Sequence, residues 1–296
     1  MARLILTSLL LQASCLVYAA AQYLDWATSG ASGVNLGGWL VQESTIDTDW
    51  WGQYSKGAQD EWGLCANQGS LCGSILEQRY ATWITTADID GLYDAGVNTL
   101  LHSLPGGVNG MAFGEAEVHY GWFKNQTVLD YSLKAIDDPV DHTDPSAFGT
   151  PLALSDDGAT WVLKYIEAVI SRVTAVNPRI PVMFQGSFRG KAYWSSLLPT
   201  SVNVVFDVHN YYFAQESAGD GEFPVFIGEW SFQAGFENTL VGRERALNTE
   251  LSAFGALTQG SSYWTAKIFG NTTVDGEGVQ ADYWNYLAFA REMFPL

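Results

Sequence analysis

The segment Pro224-Val-Phe-Ile-Gly-Glu-Trp230 ends an apolar, β-compatible run on a carboxylate. A carboxylate there can attack an electrophilic carbon or move a proton, and in a (β/α)8 barrel the C-terminal end of a strand faces the active site. A glutamate at a surface strand end is the alternative. Asp207-Val-His-Asn-Tyr211 sets His209 and Tyr211 two residues apart, on one side of a strand, because strand side chains alternate. Both could reach a ligand at a barrel mouth, or they could be a satisfied core histidine and a packed tyrosine. His102-Ser-Leu-Pro-Gly-Gly-Val-Asn-Gly110 leads a polar residue into a glycine-rich loop that lets backbone approach a ligand. Gly33-Val-Asn-Leu-Gly-Gly-Trp-Leu-Val-Gln-Glu43 pairs a glycine turn with another carboxylate. The chain holds 12 tryptophans, whose broad faces suit sugar rings, although many of them will be core. No phosphate loop, dinucleotide fingerprint or metal-spaced histidine pair is present, so neither cofactor nor metal is expected.

The elements that must position these residues alternate between strand and helix patterns, which argues for α/β with a parallel sheet. Strands are expected over Val34–Leu40, Val97–Leu101, Pro181–Ser187, Val202–Phe213, Pro224–Trp230 and Ser262–Phe269. A Trp- and Gly-rich loop carrying Cys65 and Cys72 follows the first strand. Helices are expected over Thr85–Ala95, Val128–Ile136, Glu244–Leu257 and Tyr283–Phe294, and within Asp156–Val176. The first opens on Thr85 with Asp88 three residues on. In Asp156–Val176, Val162, Ile166, Val169, Val173 and Val176 recur at spacings of four and three. The pattern is a (β/α)8 TIM barrel with elements missing, six or seven strands rather than eight. A parallel pair needs a crossover of a dozen or more residues, and Gly96 to Pro105 has room for a single strand.

The 296 residues suffice for one barrel domain. Lys and Arg total 14 against 32 Asp and Glu, a formal net charge of −18, which excludes nucleic acid and anionic membrane as partners. Arg3, the apolar run Leu4 to Val17 and Ala19-Ala20-Ala21 form the pattern of a secretory signal over residues 1–21, leaving a single domain over 22–296. Secretion places Cys65 and Cys72, the pair left after Cys15 is removed with the signal, in an oxidising compartment, where they are expected to be bridged. Asn125-Gln-Thr127 and Asn271-Thr-Thr273 are glycosylation sequons.

Taken together, Gly33-Val-Asn-Leu-Gly-Gly-Trp39 with Glu43, Trp83-Ile-Thr-Thr-Ala-Asp88, Ala95-Gly-Val-Asn98, the His102 loop, Val208-His-Asn-Tyr-Tyr212, Gly228-Glu-Trp230 and Trp264 in Ser-Tyr-Trp-Thr-Ala-Lys267 resemble glycoside hydrolase family 5, in particular the fungal exo-β-1,3-glucanases and their cellulase-like relatives. The resemblance covers most of the mature chain. It implies a retaining mechanism with two carboxyls about 5–5.5 Å apart. By resemblance Glu229 is the nucleophile, and Glu43, His102, His209, Tyr211 and Trp264 line the first sugar subsite or orient the carboxylates.

Two departures bear on activity. The arginine that the family places at a strand end, hydrogen-bonded to the nucleophile, is absent, since Val97-Asn-Thr-Leu runs straight into Leu101-His102. The family's Asn-Glu-Pro acid/base motif is replaced by Asp137-Asp138-Pro139-Val140-Asp141, in which Asp138 would stand in one methylene short and without a strand to aim it. The link after Tyr212 is also short. The expectation is a secreted monomeric hydrolase of β-glucan, β-1,3-linked, with its activity weakened by these gaps. The alternative is a catalytically inactive glucan-binding protein.

Overall fold

The computed structural model describes residues 30–95, 98–100, 149–150, 153–212, 214–215 and 223–293. Six parallel strands form one sheet in the order β2 (Asn98–Leu100), β1 (Ala31–Asn35), β9 (Gly260–Tyr263), β8 (Val225–Glu229), β6 (Val204–Tyr211), β5 (Val182–Gln185). β7 (Ala214–Gln215) folds back antiparallel on the end of β6, and β3 (Gly149–Thr150) pairs with β4 (Ala153–Leu154) in a separate small ribbon. The helices are α1 (Thr48–Tyr54), α2 (Glu61–Gln68), α3 (Cys72–Trp83), α4 (Thr86–Asp94), α5 (Asp156–Val176), α6 (Lys191–Ser195), α7 (Arg243–Leu257), α8 (Gln280–Trp284) and α9 (Tyr286–Met293). This is a partial (β/α) barrel. Its parallel run is hydrogen-bonded continuously from β2 to β5 through β1, β9, β8 and β6, and among the described residues β2 and β5 are its two edges.

Sequence patterning accounts for the long elements. α4 begins on the expected capping box: Thr85 Oγ1 accepts from the Asp88 amide, and Asp88 Oδ2 accepts from the Thr85 amide at 2.9 Å. α5 buries Ile166 and Val169 and packs Val162 and Val173 against the core, while Val176, at the end of the expected stripe, is exposed. Along β6, Phe206 and Val208 join the main apolar cluster, and Asp207 and His209 alternate to the other side.

Other expectations need correction. The first strand ends at Asn35 instead of Leu40, because the chain turns through Gly37 and Gly38, the latter at φ +68°. The cysteines lie in helices α2 and α3 and not in a loop. These helices, with α1, form a cap around a small core of their own: Trp51, Leu64, Cys72 and Leu76. Asp47 and Asp60 start α1 and α2 by accepting from the amides of Trp50 and Gly63. The last strand covers Gly260–Tyr263 only, and the segment after it crosses over the end of β1, where Thr265 Oγ1 and the Ala266 amide both donate to the Asn35 carbonyl. The closing helix is two helices, α8 and α9, broken at Asn285. The helix expected over 128–136 lies outside the described residues.

Candidate active site

The C-terminal ends of β6 and β8 build the site. Their register runs Asp207 opposite Phe226 and Val208 opposite Ile227, then slips so that His209 faces Glu229. Gly228 is therefore the extra residue of a β-bulge, a device that re-aims the following side chain. The bulge is fixed from both sides. Asn35 Nδ2, at the end of β1, donates to the Gly228 carbonyl at 2.7 Å. On the β6 side a Cβ at position 228 would fall 1.9 Å from Asp207 Oδ1, so only glycine fits beside that carboxylate.

Glu229 consequently points at two donors. Tyr211 donates its hydroxyl to Glu229 Oε2 at 2.8 Å, and His209 Nδ1 lies 3.1 Å from the same oxygen. The other nitrogen, Nε2, lies 3.4 Å from Asp207 Oδ2. Burial disfavours the charged imidazole, but the carboxylates of Glu229 and Asp207 outweigh it and raise His209 to about 10. At neutral pH the ring is thus a cation against Glu229. Burial, followed by the charge of Glu229, pushes the Tyr211 phenol well above its usual range, so it remains a hydroxyl donor. Tyr211 is stacked on Trp284, ring centroids 5.2 Å apart and 22° from parallel.

Glu43 reaches the same cluster from the loop after β1. Burial, and next the charge of Glu229, raise its carboxyl to about 8, so it is protonated at neutral pH. Its loop is held by a polar hub on the cap. The Gln42 amide donates to Glu61 Oε2 at 2.6 Å, and Gln42 Oε1 accepts from Arg79 Nε at 3.2 Å. Arg79 is buried, pairs with Asp47 at 2.8 Å, and sets its Cζ over the Trp83 ring, 3.7 Å from the centroid. Trp264 sits beyond the end of β9, its ring close enough to Gly37 that a Cβ there would approach it to 2.9 Å. The Trp264–Thr265 peptide is cis.

The structure thus brings together Glu229, Glu43, His209 and Tyr211, and places Trp264 over the neighbouring strand end. His102, Asp138 and Asn125 lie outside the described residues. Cys65 and Cys72 are bridged as expected, with Cα atoms 4.9 Å apart. Asn271 is exposed. Sequence reasoning missed Asn35, Asp207 and Phe188. Phe188 sets its ring edge-on to His209, with centroids 6.3 Å apart, from a turn in which Ser187 and Phe188 have φ of 49° and 55°. Asn35 and Asp207 stood inside motifs already singled out, one before the glycine turn and one two residues before His209. The two-residue alternation that pairs His209 with Tyr211 extends to Asp207.

A half-buried carboxylate at a barrel strand end, aimed by a histidine and a tyrosine and flanked by tryptophans, is the site of a glycosidase acting on O-glycosyl bonds. Comparison with known proteins agrees. No family model matches the chain. The crystal structure of rutinosidase from Aspergillus niger superposes with a TM-score of 0.81 at 43% identity, covering 92% of this chain and 99% of that one. The probable glucan 1,3-beta-glucosidase A of Aspergillus niger is 21% identical over 89% of this chain and 78% of its own length. A shorter stretch of 68 residues is 44% identical to the probable glucan 1,3-beta-glucosidase D of Aspergillus terreus, only 8% of whose length it spans. The chain belongs to the same family of glycoside hydrolases as the Aspergillus niger rutinosidase. A glycosidase is favoured over an inactive glucan-binding protein.

Proposed function

We propose that the protein is a secreted retaining β-glycosidase of glycoside hydrolase family 5 in which Glu229 is the nucleophile. The convergence of Tyr211 and His209 on Glu229 Oε2 carries this reading. Two donors on one carboxylate oxygen hold the group ionised and fix its direction, which a nucleophile requires. Glu229 attacks the anomeric carbon while the bond to the leaving oxygen breaks and its electron pair departs with that oxygen. Asp138 is assigned the proton donor to that oxygen and, in the second step, the base that takes a proton from water as the water displaces Glu229. Glu43, protonated at neutral pH, donates a hydrogen bond to a sugar hydroxyl, and Trp264 supplies a flat apolar face.

The substrate favoured is a β-glucoside with an aryl leaving group, such as an aryl rutinoside. Aryl oxygen leaves without full protonation, which suits a site whose acid is a shortened aspartate. The second reading is a β-1,3-glucan, supported by the names of the glucosidase relatives. Purified protein should turn over aryl β-glucoside or aryl rutinoside with retention of anomeric configuration, read by NMR, and hydrolyse laminarin-type glucan little or not at all. An inverted first-formed product, or no turnover of any of these together with no covalent labelling of Glu229, would overturn the assignment. Robust laminarin hydrolysis would select the second reading.

A further inference from the structure

Asp207 has no part in the chemistry above, yet it is held tightly at the site, against Gly228 and beside His209. Its Oδ1 is buried and finds no hydrogen-bonding partner among the described residues. Burying a polar atom without a partner is destabilising, so its place here calls for a reason. Its Oδ2 faces His209 Nε2 at 3.4 Å. The space it fills exists only because residue 228 has no Cβ. The same glycine is the bulge that brings Glu229 level with His209.

We propose that Asp207 is a positioning residue for the nucleophile: lodged against Gly228, its carboxylate fixes the His209 ring so that Nδ1 donates to Glu229 Oε2. The inference rests on Glu229 being the nucleophile. Asp207, His209 and Glu229 form a line across two neighbouring strands, with one imidazole held at both nitrogens. Among the described residues the groups facing His209 are Asp207 along its own strand, Glu229 from β8 and the Phe188 ring from the turn after β5. An aspartate that fixes the tautomer and orientation of an imidazole is worth orders of magnitude in rate elsewhere, without itself touching substrate.

Histidine-labelled protein tests this by imidazole NMR, with the His209 signals assigned by their loss in His209→Gln. Asp207→Asn keeps the side chain's shape and removes its charge. It should lower the His209 titration midpoint by about one pH unit or more. A second readout is the rate at which a 2-deoxy-2-fluoro aryl glucoside labels Glu229, followed by mass spectrometry. That rate should fall roughly tenfold to a hundredfold at pH 8 in Asp207→Asn. Should Asp207→Asn fail to fold, Asp207→Ser must show both signatures. An unchanged His209 titration in a folded variant overturns the proposal. An unlabelled parent protein overturns the nucleophile assignment instead and leaves the titration to judge Asp207.

Discussion

Two carboxyls meet at this site, and they are aimed by different physics. Glu229 is the last residue of a strand paired on both sides, by β6 and β9. Its direction follows from backbone register, one bulge and one carbonyl held by Asn35. Glu43 lies in a loop with no strand pairing, and its direction follows from side chains: Gln42, Glu61, Arg79 and Asp47, anchored on a cap with a core separate from the barrel's. Glu229 stands where two donors are fixed by the sheet, and Glu43 stands where burial, and next the charge of Glu229, keep its proton on at neutral pH. Backbone register tolerates little adjustment, while a loop on a side-chain hub can shift with the sugar it meets.

Glu229→Gln strikes the first region at its end. If Glu229 is the nucleophile, turnover of any substrate the parent cleaves should fall at least about 10^4-fold while the fold survives. Retained circular dichroism with lost activity is the expected pair of results. Activity within an order of magnitude of the parent would remove Glu229 from the chemistry.

Arg79→Met strikes the second region at its hub. It leaves the half-buried Asp47 without its partner, removes the donor to Gln42 and strips the cation from the face of Trp83, so stability should drop by about 2–3 kcal/mol. Because the hub holds the loop and not the sheet, KM should rise several-fold with a much smaller change in kcat. A loss in kcat alone would mean that the hub reaches the Glu229 side, and the two regions would not be independent.

The bridge between Cys65 and Cys72 lies farther from the chemistry. It closes a short loop inside the cap, and the unfolded-chain entropy it removes is worth about 2 kcal/mol. Cys65→Ser with Cys72→Ser should therefore raise hydrogen exchange in α2 and α3 and leave the amides of β6 and β8 protected. Equal loosening of both would show that cap and barrel unfold together.

What the sequence could reveal divides along the same line. The capping box at Thr85 and Asp88, the helical stripe of α5 and the apolar run into Glu229 are local patterns, and each was legible within a short window. The bulge at Gly228 was not, because its cause lies on other strands: Asp207, 21 positions earlier, fills the space, and Asn35, 193 positions earlier, holds the carbonyl. The end of β1 at Asn35 is likewise set by donors from Thr265 and Ala266 across the sheet. The cap helices did carry local signals in Asp47 and Asp60. They are only seven and eight residues long, and their glycines and tryptophans mask the helical period.

The smallest expected effect isolates the proton held on Glu43. In the folded protein Glu43 holds its proton up to about pH 8, whereas the ordinary value is 4.5. Between those two values the native state binds a proton that the unfolded chain has released, so stability falls as pH climbs through that window. Glu43→Gln removes the titration and keeps the shape. Its melting temperature should match the parent's at pH 4 and exceed it progressively towards pH 8, reaching a gain on the order of 2 kcal/mol once partial solvent access is discounted. A decline should remain in the variant. His209, raised to about 10, contributes stability that is complete below its ordinary 6.5 and disappears as pH rises through 10. Thermal scans of both proteins from pH 4 to pH 10 separate the two groups. A constant offset at every pH would mean that Glu43 titrates normally and that its burial beside Glu229 is not what keeps the proton on.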